Sequence, residues 1–489
     1  MKGIPNVLWY CSDQQRFDTI GALGNPHINT PRIDRFLERS VAFTHAFCQS
    51  PICSPSRASF LTGVYPSVIG VNGNGYEFFP KNYEDRLISH QLAQAGYDCG
   101  LVGKLHLSGA ARGRENRVND GYRYFQYSHS QKGPDQKGHD YARWIHDRGA
   151  NPHELMAPES PQTYRFGSKV KSFSGLYEPS LDQDNIPPAL HQTFWCTEKG
   201  IDFIQQPRPP GQPWLLSVNP FDPHPPFDPP FEYYRRYDPD TLPGAHFEKT
   251  DLVHQSMLTN AGIDFQSEPH PPEHWEHQKV QASYYAMIEQ IDHEFGRLLD
   301  ALDTSGQRDN TIVIFASDHG EALCDHGLVG KGCRFLEGMV RVPLIISWPG
   351  HYQEGVVTDT LVELTDLAPT LYDAVQLPVP SFIQGKSLHT MLRGEAFEYH
   401  RDFVRCEFFG AIDYPDQTHA TMYRDHKWKL NCYHSKDICE LYDLETDPWE
   451  HNDLSQNPDF LELKSQLLSK SLDAMVYALP SSPARVMPF

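Results

Sequence analysis

Short apolar runs that end abruptly in polar or ionisable residues are the feature that most restricts how this chain of 489 residues can fold. The run over residues 6–10 is followed by Asp13, and the run over residues 311–316 is followed by Asp318 and His319. Segments with the spacing of amphipathic helices lie between such runs. This alternation predicts an α/β fold with a large mixed, mostly parallel sheet sandwiched by helices. Because ligands collect beyond the carboxyl ends of parallel strands, the polar residues after the runs are candidates for a functional site.

Two changes in pattern divide the chain. From about residue 109 to about residue 180 the sequence is polar, rich in aromatic residues and without a convincing period, which indicates an insertion in a catalytic domain spanning residues 1–394. After residue 394, strand-like segments around turns and a final helical pattern predict a small antiparallel α+β subdomain over residues 395–489. The insertion is basic and includes Arg112 and Arg114, so it is either a lid that faces an anion or a solvated loop with scattered charge.

The acidic composition excludes one class of partner. A formal net charge of −21 and a pI near 5.6 argue against nucleic-acid binding, because neutralising phosphates requires a broad basic face. An anionic substrate must therefore be met by a few cations in a pocket. The ten cysteines form neither a CxxC pair nor a zinc-ligand pattern, so most are expected to be reduced and buried.

No stretch of the sequence approaches the length of a membrane span, so no membrane partner is expected. The apolar run near the start breaks at Asp13 and is too brief for the core of a signal peptide. The expected location is the cytoplasm for the chain as written, or the periplasm or the exterior if a leader has been removed. The pattern gives no indication of the oligomeric state.

The run PICSPSRASFLTG, at residues 51–63, is the most informative part of the sequence. Cys53 lies at the expected start of a helix, where the helix dipole and Arg57 would favour a thiolate. A thiolate alone would be an unusual neighbour for a hard metal ion. The two aspartates and the histidine that follow the apolar runs would nevertheless form a plausible divalent-metal site with oxygen and nitrogen ligands.

Residues 51–63 resemble the signature of the type I, formylglycine-dependent sulfatases of the alkaline phosphatase superfamily, in which Cys, any residue, Pro, Ser and Arg lead to Leu-Thr-Gly. Further landmarks of that family recur in its order over nearly the whole chain: Asp13, the run Gly103-Lys104-Leu105-His106, the isolated His224, the run Asp318-His319-Gly320 and the pair Gly330-Lys331. The resemblance implies an alkaline phosphatase-like fold. It also implies that a maturation enzyme oxidises Cys53 to formylglycine, whose hydrate offers one hydroxyl to attack sulfur and another to expel sulfate.

The resemblance also implies roles for individual residues. Lys104 would hold a sulfate oxygen or the hydroxyl of the nucleophile, and His106 would take a proton from the hydrate. His224, in a turn stiffened by prolines, would contact the ester oxygen as the general acid, and Lys331 would be a second cation on the sulfate. Arg57 completes the expected catalytic set. Further candidates for the surroundings of the site or for substrate contact are His326, Arg112 and Arg114.

The implied metal ligands are Asp13, Gln14, Cys53, Asp318 and His319. The common sulfatase pattern has two adjacent aspartates early and Asp-Asn later, whereas this chain has Asp-Gln and Asp-His. Because an imidazole is softer than an amide oxygen, manganese is possible besides calcium, which the family pattern favours. Gln14 is either a ligand through its amide oxygen or a support for the ligands.

The expected substrate is a sulfated small molecule or oligosaccharide, and the basic, tyrosine-rich insertion favours a carbohydrate. The alternatives within the superfamily are an arylsulfatase and a phosphonate monoester or phosphodiester hydrolase. The latter enzymes share the aldehyde nucleophile and the Asp-Gln and Asp-His pairs, but Lys104 and His106 resemble the sulfatase form of the site. An alternative of another class is a protein that binds sulfated ligands without turnover and keeps Cys53 as a thiol.

Overall fold

The fold was analysed in a computed structural model that describes residues 4–110, 114–130, 138–156, 186–263, 265–395, 400–411 and 418–478. The strands of the large sheet are β1 (Asn6–Ser12), β2 (Val41–Phe47), β3 (Asp98–Gly103), β4 (Tyr124–Tyr127), β5 (Trp214–Asn219), β6 (Thr311–Ser317), β7 (Arg341–Ser347), β8 (Val356–Thr358) and β9 (Val362–Glu363). Those of a second sheet are β10 (Val404–Phe409), β11 (His419–Arg424), β12 (Trp428–Tyr433) and β13 (Ile438–Asp443).

The helices in these ranges are α1 (Pro31–Leu37), α2 (Cys53–Thr62), α3 (Pro66–Ile69), α4 (Ile88–Gln94), α5 (Asp140–Asp147), α6 (Pro152–Leu155), α7 (Gln192–Ile204), α8 (Phe231–Tyr234), α9 (Lys249–Asn260), α10 (His277–Thr304), α11 (Glu337–Val340), α12 (Leu367–Ala374), α13 (His389–Leu392) and α14 (Leu461–Tyr477). None of the described helices combines the length and apolarity needed to cross a bilayer.

The large sheet has the order β4-β3-β5-β1-β6-β7-β2-β8, with β9 also paired to β2. Its pairs are parallel except those that β7 makes with β6 and β2. The sheet is therefore mixed and mostly parallel, which confirms the predicted fold class.

Helices cover both faces of this sheet, which explains why residues 7–11 of β1 are all apolar. All seven residues of β1 are buried. Val7 and Trp9 pack into one core with residues of α2, α4 and α12, whereas Leu8 and Tyr10 pack into a second core with residues of α7 and α10. Because successive side chains of a strand point to opposite faces, a strand covered on both sides needs apolar residues at every position.

The second sheet is antiparallel, with the order β10-β11-β12-β13, and α14 packs against it. Leu430 and Leu441 of the sheet share a small core with Leu467 of the helix. The large sheet ends with β9 and the small one begins with β10. The boundary at residue 394 falls between them and stays a prediction.

The stretch over residues 109–180 contains regular structure that its sequence did not predict. Strand β4 pairs in parallel with β3 at the edge of the large sheet, and α5 follows it. Much of the rest of this stretch, including Arg112, lies outside the described residues. The interpretation of residues 109–180 as an insertion stays a prediction, and β4 and α5 give part of this stretch regular structure.

The topology brings the predicted site residues to one edge of the sheet. Ser12 pairs with Ser317 and Gly103 pairs with Asn219, so the carboxyl ends of β1, β6, β3 and β5 lie side by side. The chain continues from these four ends into Asp13, Asp318, Lys104 and the loop that carries His224. Helix α2 begins with Cys53 as its first residue.

Candidate active site

Cys53 lies at the centre of the site and is only 1% exposed. Its Sγ is 2.9 Å from Nζ of Lys331, 3.1 Å from Nε2 of His319, 3.6 Å from Nζ of Lys104 and 3.9 Å from Oδ1 of Asp13. Burial would raise the pKa of this thiol, but the two lysines and the imidazole hold that pKa well below its usual value. The position is therefore built to hold an anionic or strongly polar group.

Asp13 and Asp318 are fully buried and share one cation. Arg57 donates from Nε to Oδ2 of Asp318 over 2.8 Å and from its NH2 group to Oδ2 of Asp13 over 3.4 Å. Lys104 also forms an ion pair with Asp13. Burial would raise the pKa of Asp13, but the charges of Lys104 and Arg57 hold it well below the usual range. Arg57 thus holds the two carboxylates in place.

Four side chains of the site could hold a metal ion. Ligand atoms of Asp13, Cys53, Asp318 and His319 all lie within 4.8 Å of one another. The Nδ1 atom of His319 lies 2.9 Å from the carbonyl oxygen of Gly320, which can only accept, so the hydrogen sits on Nδ1 and Nε2 faces the cluster with a lone pair. Two carboxylates and one oriented imidazole fit a divalent cation.

Gln14 presents its amide oxygen to this cluster. Its Nε2 donates to the carboxylate of Glu321, and because a carboxylate only accepts, this contact fixes which end of the amide faces Lys331. Its Oε1 accepts from Nζ of Lys331 over 2.8 Å. Its backbone adopts a φ of 69°, and its carbonyl accepts from Tyr284 over 2.5 Å. Gln14 therefore lies with its amide oxygen towards Lys331, and its role as a ligand or as a support for the ligands stays a prediction.

Two imidazoles complete the site. His106 and His224 both interact with the sulfur of Cys53. Burial and the charge of Lys104 lower the pKa of His106 to about 4, and burial and the charge of Lys331 lower that of His224 to about 4. Both rings are therefore neutral near pH 7. The Nδ1 atom of His224 lies 2.7 Å from the carbonyl oxygen of Pro225 and donates to it, which leaves Nε2 for another partner.

His129 is a site residue that the sequence analysis missed. It follows β4, and its ring packs edge-to-face on the ring of His106 with the centroids 4.5 Å apart. The Nδ1 atoms of both rings are buried without a hydrogen-bond partner among the described residues. Recognition of β4 would have provided the signal, because a histidine just after a parallel strand lies at the functional edge of the sheet.

The remaining candidates lie elsewhere. His326 contacts Asp251 and the carbonyl oxygen of Trp449. Arg114 places its guanidinium over the ring of Phe125, 4.8 Å from the centroid, at the sheet edge. Arg112 lies outside the described residues.

A mostly parallel sheet that carries a buried nucleophile, a metal-ligand cluster and paired cations at one edge defines a hydrolase of the alkaline phosphatase-like class. The Sulfatase family matches residues 5–377, and the C-terminal region of N-sulphoglucosamine sulphohydrolase matches residues 324–476. The chain belongs to the sulfatase family, and it is a sulfuric ester hydrolase. Proteins of this family use a metal ion and a formylglycine.

Individual proteins agree with this assignment. The chain is 30% identical over 469 residues to an arylsulfatase of Clostridium perfringens, with 94% of this chain and 92% of the other covered. It is 23% identical to an N-acetylglucosamine-6-O-sulfatase of Bacteroides thetaiotaomicron, over 95% and 85% of the two chains. The crystal structure of a phosphonate monoester hydrolase of Agrobacterium radiobacter superposes with a TM-score of 0.78 at 25% identity, over 97% and 96% of the chains.

Proposed function

We propose that this sulfatase hydrolyses a sulfate ester on a carbohydrate to an alcohol and inorganic sulfate, with a formylglycine made from Cys53 as nucleophile and calcium as the metal. One observation carries the proposal: the sulfur of Cys53 lies within 4 Å of Lys331, Lys104, His319 and Asp13 at once. A group in that position adjoins both the cations that can hold an anionic ester and the ligands of a metal.

The positions of the residues around residue 53 suggest a separate role for each of them. Lys104 and Lys331 are fixed cations that both contact residue 53, and they would stabilise the negative charge that spreads over the sulfate oxygens. His106 and His224 are neutral imidazoles near the same atom, suited respectively to accept a proton from the nucleophile and to carry a proton to the leaving oxygen. Arg57 holds the carboxylates of Asp13 and Asp318 in place.

Two groups would add chemistry that the encoded side chains lack. A divalent ion bound by Asp13, Gln14, Asp318, His319 and the converted residue 53 would polarise a sulfate oxygen and favour the ionised nucleophile. A hydrated formylglycine at position 53, produced by a maturation enzyme, would supply a hydroxyl in place of the thiol. Four of these five ligands would then offer oxygen, which supports calcium, while the imidazole of His319 keeps manganese as the alternative.

The carbohydrate substrate is proposed from the relatives. The N-acetylglucosamine-6-O-sulfatase matches this chain over almost its whole length. A panel of sulfated sugars, assayed for released sulfate beside nitrophenyl sulfate, tests the proposal. Efficient hydrolysis of aryl sulfates alone would favour an arylsulfatase instead.

A phosphonate monoester hydrolase is the second candidate function, and the similarity to the Agrobacterium radiobacter structure favours it. The pairs Asp13-Gln14 and Asp318-His319 suit both activities. Against the second candidate stands Lys104, whose amine lies 3.6 Å from the Cys53 sulfur and provides a second cation. Activity confined to phosphonate monoesters in the same panel would establish it in place of the sulfatase.

Mass spectrometry of the peptide that carries Cys53 tests the nucleophile. Protein co-expressed with a maturation enzyme should show sulfur replaced by oxygen with loss of two hydrogens, and Cys53→Ala should abolish turnover. Cys48→Ala is the matched control, because Cys48 is also buried five residues earlier and should leave conversion and activity intact. An intact thiol at position 53 in fully active protein would contradict the proposal.

A further inference from the structure

A second group of metal-binding side chains lies outside the catalytic site. It consists of Asp251 on α9, His326 in the segment before Lys331, and His451 in the segment after β13. Their ligand atoms lie within 4.8 Å of one another, and Asp251 and His326 are buried. The proposed hydrolysis makes no use of these three residues.

The hydrogen bonding of His326 orients its ring towards this cluster. Its Nε2 lies 2.9 Å from the carbonyl oxygen of Trp449, and because a carbonyl can only accept, Nε2 carries the hydrogen. Its Nδ1 then faces Oδ1 of Asp251 at 3.4 Å. In a neutral ring Nδ1 carries a lone pair, which would face a lone pair of the Asp251 oxygen and be repelled by it. Either a second proton on the ring or a metal ion must therefore lie between these two atoms. A histidine that donates its other nitrogen to a backbone carbonyl is the usual arrangement of a metal ligand.

The distances are those that a metal ion between the three side chains would require. Nδ1 of His451 lies 3.2 and 3.1 Å from the two oxygens of Asp251, and the contact of His326 measures 3.4 Å. Charge-assisted hydrogen bonds between nitrogen and carboxylate are shorter, about 2.7–2.9 Å. Bonds of about 2.0–2.1 Å to a tetrahedral zinc ion place neighbouring ligand atoms about 3.3 Å apart.

The same protein provides an internal comparison. His254 forms an ion pair with Glu440, and its Nε2 lies 2.7 Å from the carboxylate oxygen. His400 lies 3.0 Å from Asp366. Both pairs are closer than any contact in the cluster of Asp251, whereas the buried contact of His191 with Asp222 measures 3.5 Å. The orientation of the His326 ring therefore carries the assignment of a metal, and the distances are compatible with it.

We propose that Asp251, His326 and His451 form a second metal site, which takes zinc or a chemically similar late first-row divalent ion. Two imidazoles and one carboxylate suit such an ion better than calcium, which prefers six to eight oxygen ligands. His451 keeps 13% of its side chain exposed, which leaves a path for the ion and for a water as fourth ligand.

This site goes beyond the proposed function, since the hydrolysis of a sulfate ester does not require it. Its three residues come from segments that are distant in sequence. The ion would link α9, the segment that leads to Lys331 and the segment that follows the small sheet. Its binding would stabilise the native protein by mass action.

Zinc uptake by the full chain tests the proposal. Protein in which Cys53 has been converted to formylglycine, so that the catalytic cluster lacks a thiolate, is stripped with a chelator, supplied with excess calcium to occupy that oxygen-rich site, and then given zinc. We expect the wild type to retain one zinc per chain after gel filtration and to unfold at a higher temperature with zinc than without. His451→Gln should lose both effects, with an affinity for zinc at least about tenfold weaker. His254→Gln, which removes an ordinary ion pair, should keep both.

Two results would overturn the second site: a wild type that takes up no zinc in the presence of calcium, or a His451→Gln variant that retains it. Asp251→Asn is the second variant, and circular dichroism establishes that each variant is folded. The sulfatase assay is run on the same samples, and hydrolysis of sulfate esters without zinc uptake would overturn only this site and leave the proposed function intact.

Discussion

The environment of His224 indicates that its contribution to catalysis depends on the leaving group of the substrate. Its pKa is lowered to about 4, so the free protein holds a neutral ring beside Lys331. A bound sulfate ester would bring negative charge next to that lysine and favour protonation of the ring. Alkyl leaving groups require that proton, whereas an activated phenolate leaves without it.

We therefore expect His224→Ala to lower kcat/KM for a sulfated sugar by about 10²–10⁴ and for nitrophenyl sulfate by less than about tenfold. Steady-state rates on the two substrates, measured with the same preparation, test this difference. An equal loss of kcat/KM on both substrates would contradict the role of His224 as general acid.

His129 is expected to position His106. The Nδ1 atom of His106 has no hydrogen-bond partner among the described residues, and the edge-to-face contact with His129 helps to hold the plane of its ring. We predict that His129→Ala lowers kcat about tenfold with little change in KM, because a displaced catalytic group loses rate. His129→Phe keeps an aromatic edge and should restore most of kcat. A His129→Phe variant as slow as His129→Ala would show that packing is not the contribution of this residue.

The sequence predicted the site residues whose spacing follows a strand end or a family motif. Asp13, Asp318 and His319 follow β1 and β6, as the apolar runs predicted, and Lys104 of the family motif follows β3. Glu321, which orients the amide of Gln14, could not be predicted, because its contact depends on how two loops 307 residues apart approach each other. Residues that belong to a motif could be predicted from the sequence, whereas the contacts that orient them could not.

At the scale of the element, length decided what the sequence could predict. Residues 6–10 and 311–316 lie in β1 and β6, which are mostly apolar and are buried at all seven positions. Strand β4 has four residues, of which two are buried, and basic residues lie nearby. Four residues are too few to show an alternation of apolar and polar positions within a polar stretch, so this edge strand could not be predicted from the sequence.

The end of α2 offers a prediction at this scale. Gly63 ends the helix with a φ of 69°, and an added Cβ would lie 3.1 Å from Ile383 and 3.2 Å from Ala368 on α12. Gly63→Ala should lower the free energy of unfolding by about 1–2 kcal/mol from backbone strain, and more from crowding. Gly70 ends α3 with a φ of 79° and has nothing within 4 Å, so Gly70→Ala measures the strain alone.

Denaturant unfolding of the two variants separates these contributions. The loss for Gly63→Ala should exceed that for Gly70→Ala, because α2 packs its last turn against α12 and must shift to accept the methyl group. Equal losses in the free energy of unfolding for the two variants would mean that α12 shifts to accept the methyl group without an energetic cost.

At the scale of the whole molecule, buried ion pairs join the small sheet to the rest of the protein. Lys429 of β12 lies 3.2 Å from Glu337 and 2.7 Å from Glu450, and His254 of α9 lies 2.7 Å from Glu440 of β13. The partners in the last pair are 186 residues apart. The sequence predicted both sheets but not this contact between them, because pairing across such distances leaves no local pattern.

The pair of His254 and Glu440 makes stability depend on pH in a defined way. Burial would raise the pKa of Glu440, but His254 lowers it to about 2, so its contribution is present above about pH 4.5 and is lost as the pH falls towards 2. Burial would lower the pKa of His254, but Glu440 raises it above 6.5, so that contribution is complete below about pH 6.5 and is lost as the pH rises through the raised value.

We expect His254→Gln to destabilise the protein more at about pH 5.5, where both contributions are present, than at about pH 8.5. Denaturant unfolding of the wild type and the variant at the two pH values measures the difference. His27→Gln, which replaces an exposed histidine, is the control and should show the same small effect at both. A loss for His254→Gln that does not change with pH would mean that the imidazole stabilises the junction by packing and not by its charge.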